Sequence, residues 1–231
     1  MARKDRVPDP PKRSQGPQRR TTTSTPQDDA RRRRLLYLVA GAGVVALAVV
    51  LGFLLLGGDG EDERAVIEAA GCTYEVAPGQ TGDHTAELTA TSDPKWNTDP
   101  PTSGPHHPQP AVWGSYDSPV PLAQSIHNLE HGGIVIHYGD DVPEAEVEKI
   151  REFYSEDPNA MLVAPLPKLG DRIALSAWTT ETARVGESGD NGQGFLVKCP
   201  RFDEEVFSTF RDEHRYEGPE RFVPEQLTPG S

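Results

Sequence analysis

The chain has 231 residues, a formal charge of −13 and 35% apolar residues, enough for one ordinary domain with appendages. The charge is unevenly placed: residues 1–34 carry 11 Lys/Arg and 4 Asp/Glu, residues 35–56 carry none, and residues 57–231 carry 12 basic against 32 acidic residues. So acidic a C-terminal part repels nucleic acid, and no GxxxxGK[ST] or GxGxxG run is present to cradle a nucleotide, which excludes both as expected partners.

In chain order, residues 1–34 are rich in Pro, Gln, Ser, Thr and Arg and offer too little apolar surface to offset chain entropy, so they read as a disordered basic tail. Leu35–Leu56 follows as an uninterrupted apolar run. As a helix it would extend roughly 33 Å, long enough to cross a bilayer core. Arg31, Arg32, Arg33 and Arg34 precede it directly, which predicts a single-pass plasma-membrane protein with its N-terminus cytoplasmic and the rest extracytoplasmic. A cleaved signal peptide is the rival reading, but its apolar core spans about 7–15 residues and ends in an A-x-A site, which the following GGDGEDE stretch does not offer. Residues 57–70 form an acidic spacer with a short helix over Glu61–Ala70 ended by Gly71; residues 71–226 form the globular domain, and 227–231 a disordered end.

Within the domain, CTYEV (Cys72–Val76) and HTAEL (His84–Leu88) read as short strands. Asp93–Pro121 holds eight prolines, which forbid long regular structure and predict an ordered, extended loop anchored by Trp96, Trp113 and Tyr116. Leu122–His131 reads as a helix with Leu122, Ile126 and Leu129 on one stripe, stopped by Gly132-Gly133, and GIVIHYG as an apolar strand. Glu144–Tyr154 reads as an amphipathic helix with Val147, Ile150 and Tyr154 inward. MLVAP and RIALSAW read as buried strands, GFLVKC as an edge strand, and Asp203–His214 as a last helix with Val206, Phe207 and Phe210 inward. The expected class is α+β, with a mixed or antiparallel sheet, a few short helices and the long Pro-rich loop. Cys72 and Cys199 are the only cysteines, and outside the cytoplasm such an isolated pair is most simply a disulfide.

Five of the seven histidines, His106, His107, His127, His131 and His137, fall between Pro100 and His137. On a helix His127 and His131 are i and i+4, so their rings project from one face about a turn apart. A strand reversing after the Gly-Gly turn would bring His137 alongside His127, and His106 would close over the site from the Pro-rich loop. The expected metal ligands are therefore His106, His127, His131 and His137, with Glu130 orienting a ring from beside them. Bland alternatives stand next to each: His131 as a helix cap, His137 as a core histidine, and His84 and His214 as surface residues, His84 being a distant candidate ligand. The only internal methionine is Met161, so a nitrogen-rich set of this kind suits copper or zinc.

Three functional readings follow: an extracytoplasmic metal-binding domain; a non-catalytic envelope module that engages a protein partner through Trp96, Trp113 and Tyr116; and a metal-dependent hydrolase in which HxxEH supplies Glu130 as general base. PPTSGPHHP, WGSYDSPVP, HNLEHGGIVIHY, LVAPLPKLGDRIALSAW and the terminal FVPE together resemble the bacterial family catalogued as domain of unknown function 3105, over roughly Gly71 to Glu225. The resemblance implies a single-pass or secreted bacterial protein, common in actinobacteria, with no established activity. It also implies that the second position of the HH pair is often aromatic, which sets His107 beside the ligands and leaves His106 among them.

Overall fold

A computed structural model describes residues 59–88 and 94–231; the basic tail (1–34) and the apolar segment (35–56) lie outside the described residues. Among the described residues no helix is long and apolar enough to cross a membrane. Helix α1 (Asp59–Ala69) is closed by Gly71 at φ 79°, with the Gly71 and Cys72 N–H groups donating to the Glu68 and Ile67 carbonyls. Glycine accepts that left-handed turn because it has no Cβ to clash. The chain then enters β1 (Thr73–Pro78), and the remaining strands are β2 (Gly114–Ser115), β3 (Ile134–Tyr138), β4 (Met161–Pro165), β5 (Ile173–Thr179) and β6 (Gln193–Cys199).

They form one open sheet in the order β1-β6-β5-β3-β4-β2. β4 runs parallel to both β2 and β3, whereas β3/β5, β5/β6 and β1/β6 are antiparallel. The sheet is therefore mixed and the class α+β. A parallel pair needs a crossover, and helix α3 (Glu144–Glu156) supplies it between β3 and β4. Helices α2 (Leu122–Glu130) and α4 (Glu204–His214) complete the set. The Asp203 carboxylate caps α4 by accepting from the Val206 N–H.

Alternate strand residues feed two apolar layers. Ile134, Ile136, Met161, Val163, Leu175 and Val197 pack under α1, α3 and α4 through Ile67, Ile150, Phe153, Phe207 and Phe210. Val135, Leu162, Ala164 and Trp178 face the other way and meet Ile126 and Leu129 of α2, with Ala111, Trp113 and Val120 from the Pro-rich segment. With both faces covered, β3 and β4 read as continuous apolar runs rather than alternating ones.

Several expectations are corrected. HTAEL is not a strand: His84 makes a single bridge to His106. GFLVKC is not an edge, because β1 hydrogen-bonds to its outer side and takes the edge itself. The inner stripe of α3 is Val147, Ile150 and Phe153, with Tyr154 only half-buried. The acidic spacer helix contributes to the core through Ile67, which is fully buried. At the other end Leu227 is buried, and the Ser231 carbonyl accepts the Trp113 N–H at 3.0 Å, so the final residues pack as well. The Cys72–Cys199 disulfide forms because pairing of Thr73 with Lys198 sets the start of β1 beside the end of β6.

Candidate metal centre

Helix α2 carries the central residues, and the glycine pair fixes where it stops. Gly132 has φ 84°; its N–H donates to the Leu129 carbonyl at 2.9 Å, and the Gly133 N–H donates to that of Asn128 at 3.0 Å. His131 is therefore the residue capping the helix, one turn beyond His127, and their Nε2 atoms lie 3.0 Å apart. Gly133 also admits the Trp113 ring, which a Cβ there would meet at 2.2 Å.

Two irregular segments bring the other groups. The Thr85 N–H donates to the His106 carbonyl at 2.7 Å and the His106 N–H to that of Asp83 at 3.0 Å, so the two segments run side by side and set His84 next to His106. Nε2 of His84 and of His106 lie 3.2 and 3.0 Å from the same oxygen, Oε2 of Glu130. The His84 ring stacks on His127, with centroids 4.8 Å apart. Glu130 Oε1 fills the space a side chain at position 82 would need: a Cβ on Gly82 would lie 2.2 Å from it. Trp178 closes one wall, edge-on to His106.

The hydrogen bonds set the proton positions. Nδ1 of His106 lies 2.8 Å from the Gly104 carbonyl, and Nδ1 of His127 lies 2.8 Å from that of His107. A carbonyl only accepts, so each Nδ1 carries the proton and each neutral ring presents Nε2 as a lone pair. Fully buried His106 Nε2 makes no hydrogen bond among the described residues, although Glu130 Oε2 is 3.0 Å away. The contact has the distance of an ion pair but not the angle of an N–H···O bond. When the ring is neutral two acceptors face each other there, which either a proton on Nε2 or a metal ion between them relieves.

Electrostatics favour the same forms. Burial pushes His127 below the usual imidazole range, against the opposing pull of the His107 carbonyl. Burial, with His127 alongside, lowers His131 to about 4. Burial would raise the Glu130 carboxyl, but His106 and His84 outweigh it and hold it below the ordinary carboxylate range. At neutral pH His127 and His131 are therefore unprotonated imidazoles and Glu130 an anionic carboxylate, the states that bind metal.

The C-terminal segment adds one more group. The Tyr216 N–H donates to the Gly132 carbonyl and the Glu220 N–H to that of Glu130, which places Glu220 Oε2 3.7 Å from His131 Nε2. Ligand atoms of His84, His106, His127 and Glu130 all lie within 4.8 Å of one another, as do those of His127, Glu130, His131 and Glu220. Ligands at normal bond lengths around one tetrahedral ion would be about 3.3 Å apart, so either group closes on an ion with small side-chain shifts. The donor chemistry, imidazole nitrogens with carboxylate oxygens, fits a transition-metal ion and not calcium, which takes an oxygen cage.

His106, His127, Glu130 and His131 thus come together, and His137 does not join them. β3 packs beneath α2 through Val135, but it lies in the middle of the sheet between β4 and β5, and there His137 is buried with neither ring nitrogen hydrogen-bonded among the described residues. His107 lies beside the donors: its carbonyl orients His127, while its ring Nδ1 accepts the Gln109 N–H. Glu130, read as an orienting group or a base, has one oxygen shared by two imidazoles, the position of a ligand. His214, read as a surface residue, is buried with Nε2 2.9 Å from Glu63 Oε1. Sequence reasoning held His84 only as a distant candidate ligand and missed Glu220 altogether. Trp113 is buried and the part-buried Trp96 donates to the Pro105 carbonyl, so both rings hold the Pro-rich segment in place.

Fold and site together define an α+β domain that carries a buried imidazole–carboxylate cluster on one face of a mixed sheet. The family model described as Protein of unknown function (DUF3105) matches residues 87–226, well over half of the chain, and the protein belongs to that family. The match includes every cluster residue except His84. No curated protein and no solved structure matches the chain.

Proposed function

We propose that this chain is a membrane-anchored, extracytoplasmic metal-binding protein whose cluster of His84, His106, His127, His131, Glu130 and Glu220 takes up a divalent first-row cation, copper or zinc. The observation that carries the reading is the pair of backbone carbonyls, of Gly104 and His107, that fix His106 and His127 with their Nε2 lone pairs turned toward the other donors. Outer hydrogen bonds of this kind orient and strengthen imidazole ligands. Support for the location comes from the arginine run before Leu35–Leu56 and from the Cys72–Cys199 disulfide, a bond that persists in oxidising compartments.

Metal content tests it. The full chain, solubilised in detergent, stripped with a chelator and exposed to micromolar Cu²⁺ or Zn²⁺, is expected to retain metal after desalting. His127→Asn should lower that retention sharply. A chain that takes up neither ion contradicts the reading.

A further inference from the structure

We infer that the centre holds two divalent cations rather than one, a step that rests on the metal-binding reading above. By their shortest contacts the six donors divide into two trios. In the first, His84 and His106 both approach Glu130 Oε2, at 3.2 and 3.0 Å. In the second, His127 Nε2 is 3.0 Å from His131 Nε2, which in turn is 3.7 Å from Glu220 Oε2. Each trio is two imidazoles and one carboxylate, three protein ligands with a coordination position to spare.

The lone pairs enforce the division. His127 has its Nδ1–H committed to the His107 carbonyl, so it offers one free lone pair and serves one ion. It belongs to both four-residue groups, which therefore cannot both be filled as drawn. Dividing the donors into trios uses every imidazole once and gives each ion one carboxylate, balancing the charge evenly.

The two trios are also held by different parts of the fold. The 79–88 segment and the Pro-rich segment set His84 and His106 in place, whereas the end of α2 and the C-terminal segment set His131 and Glu220. They nevertheless touch: the His127 ring lies 4.8 and 4.9 Å from those of His84 and His106. That proximity suits the short separation of two-metal centres, about 3.5–4 Å.

Stoichiometry and spin coupling test the inference. The stripped full chain is titrated with Cu²⁺, and bound metal and the electron paramagnetic resonance spectrum are followed together. The expected result is two equivalents per chain, the second broadening or quenching the signal of the first. Glu220→Gln should weaken one equivalent by roughly tenfold or more and leave the other, with an unbroadened spectrum. His84→Asn, at a partly exposed ring, should do the same to the other equivalent. A single equivalent, weakened alike by both substitutions, would overturn the two-ion centre while leaving metal binding intact; two equivalents untouched by either would place the ions elsewhere and overturn it too. No uptake at all would overturn the underlying reading.

Discussion

His106 and His137 are both buried histidines, yet their surroundings differ in a way that separates a donor from a core residue. His106 has its Nδ1 fixed by a carbonyl and its Nε2 3.0 Å from Glu130, whereas among the described residues His137 has no hydrogen bond to either nitrogen. Burial, with Lys168 nearby, lowers His137 to about 4. The unfolded chain binds that proton near pH 6.5 and the folded one does not until about pH 4, so stability falls as pH falls through this window. We expect His137→Leu to lose less stability between pH 7 and pH 5 than the parent chain, by about 2 kcal/mol in urea titrations; equal losses would show that His137 does not titrate on unfolding. Gly82 gives a second residue-scale prediction. Gly82→Ala would drive its methyl into the Glu130 carboxylate, so metal affinity should drop at least several-fold while the melting temperature changes little. The i, i+3, i+4 spacing of His127, Glu130 and His131 was legible in the sequence because a helix fixes it. His84 was not, since a loop places it through a single bridge to a residue more than twenty positions away.

At the scale of elements, the site depends on how α2 ends. Gly132 sits at φ 84°, and a Cβ there would lie 2.9 Å from backbone atoms of Gly218 and Tyr216, so alanine is disfavoured by both conformation and contact. Gly132→Ala is expected to destabilise the domain by about 1–3 kcal/mol and to weaken metal binding, because the same turn aligns His131 and the segment bearing Glu220. Unchanged chemical denaturation would contradict this. The stop itself was readable, since glycine pairs after a periodic apolar stripe mark helix ends. The path beyond it was not, because the place and register of an apolar strand after a turn are set by its pairing, here with β4 and β5. The phase of α3 was misread by one residue for a related reason. Phe153 and Tyr154 both suit a 3.6-residue period, and packing against Phe202 and Phe207 selects Phe153.

Across the whole molecule, the two apolar layers and the disulfide carry the fold, and the histidine–glutamate cluster sits in an acidic domain. A bond closing 127 residues is worth roughly 3–5 kcal/mol in the chain-entropy picture. We expect Cys72→Ser with Cys199→Ser, or reduction of the parent chain, to lower stability by about that amount in thermal melts; identical melts with and without reductant would contradict it. The α+β class, the mixed sheet among its options and the cysteine pair could be read from composition and local patterns. The strand order could not, because β1 joins β6 from the far end of the domain and no local signal marks it as the edge. An acidic domain raises the local concentration of cations, and its charge favours metal capture without determining the ion. Metal binding by the histidine–glutamate cluster is tested by equilibrium titration of the stripped full chain with Cu²⁺ and Zn²⁺, beside Glu130→Gln. We expect tight uptake by the parent and a loss of roughly tenfold or more in affinity on removing the one charge that His84 and His106 share; no uptake, or uptake indifferent to Glu130, would contradict metal binding at this cluster.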